Sequence, residues 1–204
     1  VRDIVASAFQ SAGQRCSALR CLYVQDDIAP HLTEMLTDAM QELTLGDPWS
    51  LSTDIGPVID DEAATGIRAH IDAARREGRV IAELTTPTGG KFITPTVIRV
   101  NGIAEMQREI FGPVLHLATF RSEDLNRVIA DINATGYGLT FGLHTRIDNR
   151  VDEITRAIRA GNIYVNRNQI GAVVGSQPFG GEGLSGTGPK AGGPDYLARF
   201  CAPV

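Results

Sequence analysis

The stretch LRCLYVQDDIAPHLTEMLTDAMQELTLG, residues 19–46, changes its hydrophobic period part-way along. Its opening LRCLYVQ (19–25) reads as a strand. After it Leu32, Met35, Leu36, Ala39, Met40 and Leu43 recur at three- and four-residue intervals, the stripe of an amphipathic helix with Gly46 as its stop. The same alternation continues outward. Ile67, Ile71 and Ala74 predict a second helix ending near Gly78, and RVIAEL (79–84), TVIRV (96–100) and VLHLATF (114–120) predict strands. Ser122 is placed to cap a third helix carrying Leu125, Val128, Ile129 and Ile132. LTFGLHT (139–145) predicts a strand. Asp148 is placed to cap a helix with Val151, Ile154 and Ile158 that stops at Gly161, and NIYVN (162–166) predicts one more strand. Strands alternating with helices specify an α/β domain with a largely parallel sheet.

Composition sets the class. The 204 residues are 43% hydrophobic and 21% charged, which suits a soluble globular chain able to bury a core. A net charge of −5 without a basic block argues against nucleic-acid binding by this domain. Three unevenly spaced cysteines make a poor disulfide framework, so a reducing, cytoplasmic setting is expected. No apolar run approaches the ~20 residues that span a bilayer, and no signal peptide is visible. The sequence opens on Val1 rather than Met and is expected to be a piece of a longer protein.

Residues 171–193, GAVVGSQPFGGEGLSGTGPKAGG, hold nine glycines in 23 positions, too many for a long helix or a central strand. Such a segment must be shaped loop. Either it points backbone N–H groups at an anion, or it crosses the surface to cover a neighbour. Gly181, Gly183 and Gly186 spell the G-x-G-x-x-G dinucleotide fingerprint, which requires a helix, a second strand and an acidic residue ~20 positions on. Only 18 residues follow, with Gly192, Gly193 and three prolines among them, so the match is rejected.

Cys16 lies in GQRCSALR (13–20), beside Arg15 and between small residues. A thiolate needs a nearby cation or N–H donors and an open approach, yet free cysteines are commonly buried and inert. Cys21, in an alternating strand, and Cys201, near a hydrophobic end, fit the inert reading. His31, His70, His116 and His144 are scattered, which offers neither a partnered histidine nor a metal-ligand spacing, and no metal site is expected.

Four motifs in order carry a resemblance: GQRCSALR, EIFGPVL (109–115), GNIYVNR (161–167) and QPFGGEGLSGTGPKAGG (177–193). Together they resemble the three-layer α/β catalytic domain of the NAD-dependent aldehyde dehydrogenase family across essentially residues 1–204. QRCSALR, TDIGPVID and the segment from Asn166 to Pro194 further resemble the L-glutamate γ-semialdehyde (1-pyrroline-5-carboxylate) dehydrogenase module of the bifunctional proline utilization flavoenzymes. The resemblance implies that Cys16 is the nucleophile, forming a thiohemiacetal that yields hydride to NAD and leaves a thioester for hydrolysis. It implies that Glu109 holds the nicotinamide-ribose hydroxyls and that Phe111 packs beside the nicotinamide. Ser17, with the backbone N–H groups at Gly171 and Ala172, would hold the substrate's amino-acid carboxylate, and Phe179 would line its aliphatic part.

The same resemblance places an NAD-binding domain, an oxyanion asparagine and an acidic residue upstream of Val1, so the piece alone is expected to be inactive. It also implies a homo-oligomer, a separate FAD-bearing proline dehydrogenase module, and membrane association through that module. Ala63 and Gly66 stand where many relatives carry Gln and Lys for the adenosine side of NAD, which removes those contacts. Tyr164 stands where many have tryptophan. Two rival readings are a thioester-forming acyltransferase or hydrolase without nicotinamide, which leaves Glu109 and Phe111 unexplained, and a noncatalytic copy of the fold, which predicts a degraded cysteine motif.

Overall fold

The computed structural model describes residues 1–87, 89–173, 175–186 and 188–201. They form two compact units, residues 1–128 and 129–204, and the chain passes from one to the other within a helix. The first unit contains α1 (Arg2–Phe9), β1 (Cys21–Gln25), α2 (Ala29–Gln41), α3 (Asp61–Arg76), β2 (Val80–Glu83), β3 (Thr96–Arg99) and β4 (Val114–Phe120). Its sheet runs β1-β4-β3-β2. β1 and β3 both lie parallel to β4, whereas β2 joins β3 antiparallel at the edge, which makes a largely parallel sheet with one reversed margin.

Burial explains why the apolar runs became strands. Val114 through Ala118 are all buried in the central β4, and Thr96, Val97 and Ile98 beside it in β3, as expected of strands covered on both faces. α3 presents Ala64, Ile67, Ile71 and Ala74 to this core as one stripe. Its start is fixed by Asp60, whose carboxylate accepts the Ala63 N–H at 2.8 Å, and its charges follow the helix dipole, with Asp61 and Glu62 first and Arg75 and Arg76 last. α2 buries Leu36 and Met40. Met35, expected on the same stripe, is 47% exposed, and the helix ends at Gln41, well before Gly46.

A helix switches the chain to the second unit. α4 (Leu125–Ala134) follows a 3-10 turn at Ser122–Asp124, so Ser122 lies inside that turn and does not cap the helix. The second unit holds β5 (Tyr137–Gly138), β6 (Thr140–Leu143), α5 (Asp148–Ala157), β7 (Asn162–Val165) and β8 (Glu182–Gly183). β6 and β7 pair parallel, and β5 and β8 pair antiparallel. Asp148 is the first helical residue of α5 rather than its cap, which is Ile147, and α5 ends at Ala157 instead of reaching Gly161. Among the described residues no helix is long and apolar enough to cross a membrane.

His116 is the most buried titratable group of the central strand, 1% exposed. Its Nδ1 lies 3.0 Å from the Arg20 carbonyl oxygen, an acceptor, so Nδ1 carries the proton. Its Nε2 then accepts from His70 Nε2 at 2.9 Å, which leaves the His116 ring neutral. Burial first, then the charges of His70, Arg79 and Arg20, push His116 down to about 4, against a hydrogen bond to Arg20 that raises it. His70 is lowered in the same direction by burial and by Arg79 and Arg108, opposed by Glu77. A histidine whose pKa is depressed on folding leaves stability intact above the unfolded value of ~6.5 and removes it as pH falls towards the folded value. Between pH 6.5 and 4 the protein carrying this chain therefore loses up to about 3 kcal/mol through His116. Urea unfolding across that range checks this, with His116→Leu expected to flatten the slope.

Candidate active site

The nucleophile motif is an abrupt turn between α1 and β1. Ser11, Ala12 and Gly13 take φ of 57°, 54° and 64°, three successive left-handed residues that reverse the chain after α1. Such conformations cost non-glycine residues energy and persist only where the surroundings hold them. Here Leu19 N–H donates to the Ser7 carbonyl at 2.9 Å and Ala18 N–H to that of Arg15 at 3.0 Å. Cys16 stands exposed on this turn, and among the described residues its N–H is not donated within the protein. Ser17 beside it is buried, 4% exposed. Arg15, the sequence neighbour, turns away and donates to Ser11 Oγ at 3.0 Å.

Arg20 is the cation of the site, and sequence reading assigned it no role. Its side chain is 12% exposed. Nε donates to Glu109 Oε1 at 2.9 Å, Nη1 to the Gly13 carbonyl at 2.6 Å and more weakly to that of Gly112 at 3.4 Å, and Nη2 to the Arg15 carbonyl at 3.2 Å. The guanidinium also lies 4.5 Å from the centre of the Phe111 ring. Burial pulls the group below its ordinary value, and Glu109 and Cys16 push it back, so it keeps its charge. One side chain thus binds the turn that carries Cys16 to the EIFG loop. The only sequence signal was an arginine four residues after the cysteine.

The two segments also meet backbone to backbone. A Cβ on Gly13 would enter the Gly112 carbonyl, and one on Gly112 would lie 2.6 Å from Ile67 Cδ1 on α3. These glycines are required by contact. Among the described residues Glu109 is anchored through Oε1, and its side chain is 55% exposed, which leaves Oε2 as an acceptor for a ligand. Phe111, 43% exposed, is backed by Arg20 on one face. An anchored carboxylate with one open oxygen next to a half-open ring fits the ribose and nicotinamide of NAD.

The other cysteines divide. Cys21 is mostly buried in β1, and burial pushes its thiol up to about 12, which makes it inert. Cys201 is exposed, against expectation, because the terminal 3-10 turn Leu197–Phe200 buries none of its residues. Among the described residues no cluster of His, Cys, Asp and Glu could hold a metal ion.

In the second unit, Asn162 of β7 organises the glycine-rich segment. Its buried amide donates to the Pro178 carbonyl and accepts the Gly180 N–H, both at 3.0 Å, while Lys190 Nζ donates to the Gly161 carbonyl. Phe179 and Ala191 exchange backbone hydrogen bonds at 3.0 and 2.8 Å, which close the loop between them. Gly171 adopts φ of 73°, and Val173 N–H donates to the Gln177 side chain at 3.1 Å. Phe179 is half-buried, Ala172 is partly exposed, and among the described residues the N–H groups at Gly171 and Ala172 are not donated within the protein. The GEGLSG segment is β8 followed by a turn, with Ser185 N–H donating to Glu182 and Gly186 N–H to Gly183, so it opens no helix. Tyr164 is 7% exposed with Arg167 over its ring at 4.8 Å, so the smaller ring packs where tryptophan is common.

A family model described as the aldehyde dehydrogenase family matches residues 1–203. The chain belongs to the aldehyde dehydrogenase family. It is 53% identical over 210 residues to "Bifunctional protein PutA" of Escherichia coli (strain K12), covering 99% of the chain and 16% of that relative. It is 39% identical over 202 residues to "1-pyrroline-5-carboxylate dehydrogenase" of Bacillus cereus (strain B4264), covering 97% and 38%. Among solved structures, a point mutant of proline utilization A (PutA) from Bradyrhizobium japonicum superposes with TM-score 0.94 at 52% identity, over 98% of the chain and 20% of the other. A 1-pyrroline-5-carboxylate dehydrogenase from Thermus with bound NAD superposes with TM-score 0.88 at 34% identity, over 98% and 39%. The chain therefore spans about a sixth of the PutA sequence and less than two fifths of the single-activity relative. In this aldehyde dehydrogenase chain the Gly13–Gly112 contact predicts that Gly13→Ala destabilises by ~2 kcal/mol or more, since it adds both a left-handed alanine and a backbone clash. Thermal unfolding of the variant checks this, and an unchanged Tm contradicts it.

Proposed function

We propose that this chain is the cysteine-bearing catalytic part of an NAD-dependent L-glutamate γ-semialdehyde dehydrogenase that oxidises the semialdehyde to glutamate in proline catabolism. The observation that carries the reading is the Arg20 clamp, because it ties an exposed cysteine to a carboxylate and an aromatic ring suited to a nicotinamide nucleoside. An acyltransferase or hydrolase has no use for that second pair, and a noncatalytic copy has no reason to keep the thiol exposed.

In this reading the Cys16 thiolate attacks the aldehyde carbon and forms a thiohemiacetal, whose oxyanion takes the Cys16 N–H as one donor. Bound NAD supplies the acceptor for the hydride that leaves this carbon. Glu109 offers its open oxygen to the ribose hydroxyls, and Phe111 shields one side of the ring site from water. Hydrolysis of the thioester then frees glutamate and restores the thiolate on Cys16. Ser17 contributes a hydroxyl, and Gly171 and Ala172 contribute N–H donors, to the substrate carboxylate, while Phe179 packs on its methylenes. The chain belongs to a longer, homo-oligomeric bifunctional protein that works in the cytoplasm, with FAD in a separate proline dehydrogenase module that mediates membrane association.

Replacing Cys16 by Ala in the protein carrying this chain should reduce NADH formation from glutamate semialdehyde by roughly 10³-fold or more, with NAD binding retained. Unimpaired turnover would exclude Cys16 as nucleophile. Ala172→Leu should raise KM for the semialdehyde by more than it raises KM for an aldehyde of similar length without the carboxylate, and equal rises would remove the anchor-loop assignment.

A further inference from the structure

We propose that Arg20 is a positioning residue that couples the Cys16 nucleophile to the Glu109–Phe111 cofactor surface. The proposal rests on the dehydrogenase reading above and adds to it the group that makes the two halves act as one. Three of the four partners of the guanidinium are carbonyls of the two segments: Gly13 and Arg15 around the cysteine, Gly112 after the EIF residues. The fourth is the Glu109 carboxylate. A guanidinium has five N–H donors in a rigid plane, and here that plane lies against Phe111 while its edge takes the carbonyls and the carboxylate. No other side chain supplies a fork and a flat face together.

The consequences differ for the two ends. At Glu109, the Nε bond fixes one oxygen and so fixes the direction in which the other is offered. At Cys16, the bonds to the Gly13 and Arg15 carbonyls hold the turn that leads into the cysteine and so fix where its side chain stands. The arginine is thereby divided between the carboxylate and the carbonyls of that turn. A ligand's engagement of Glu109 is transmitted through the guanidinium to the turn that carries Cys16.

Two variants test this. In the protein carrying this chain, the rate of alkylation of Cys16 by iodoacetamide at one fixed pH is followed by mass spectrometry of the tryptic peptide 16–20, without substrate or NAD, alongside NAD binding by titration. Arg20→Lys loses the fork and the flat face but keeps a trypsin site, and should free the turn, raise the alkylation rate several-fold and weaken NAD binding roughly tenfold. Glu109→Gln keeps an acceptor for Arg20 but weakens the charge-assisted bond, and should raise the alkylation rate in the same direction by less. If Arg20→Lys does not fold, the Glu109→Gln rate decides alone. Alkylation rates that do not change, with only Tm reduced, would make Arg20 a structural residue and overturn the proposal. Because these readouts need no turnover, they separate from the activity test at Cys16→Ala.

Discussion

A largely buried guanidinium with four of its five N–H donors filled is the constraint on which the first unit depends. Removing Arg20 from water is unfavourable unless its donors are met, and four are met by three carbonyls and one carboxylate drawn from residues 13–15 and 109–112. Those segments are about ninety positions apart in sequence. Their approach is close enough that Gly13 and Gly112 leave no space for a Cβ between them. The strained turn at Ser11 and Ala12 is held from one side by this contact and from the other by the Leu19–Ser7 hydrogen bond.

The core holds that arrangement in place from beneath. Arg20 precedes β1, which lies in register beside β4, and the Arg20 carbonyl takes both the backbone N–H and the ring Nδ1 of His116. The strand that carries His116 begins directly after Gly112 and Pro113. Consequently the same residue is fixed at its backbone by the central sheet and at its side chain by the two functional segments. α3 contributes Ile67 beneath Gly112, so the helix stripe that builds the core also sets the height of the cofactor loop.

The second unit solves a different problem. A segment so rich in glycine has little side-chain packing to order it, and the buried Asn162 amide replaces packing with two hydrogen bonds to the PFGG backbone. The Phe179–Ala191 pairing closes the loop at its base. Ordering by amide and backbone contacts allows the chain to remain bare enough for its N–H groups to meet a ligand, which a packed hydrophobic loop would not allow.

By itself the sequence determined the alternation of elements, since apolar period distinguishes a strand covered on both faces, such as VLHLATF, from a one-faced helix such as α3. It also carried the family, because GQRCSALR, EIFGPVL, GNIYVNR and QPFGG are long and ordered enough to be specific. It misjudged element ends at Ser122, Asp148 and Gly46, where several capping candidates compete and tertiary packing chooses among them. Tertiary structure alone decided which arginine serves Cys16. Arg15 is adjacent in sequence but turns towards Ser11, whereas Arg20 reaches back over the turn to meet Glu109. Side-chain direction after a left-handed turn depends on contacts made ninety residues away, and no local pattern encodes those.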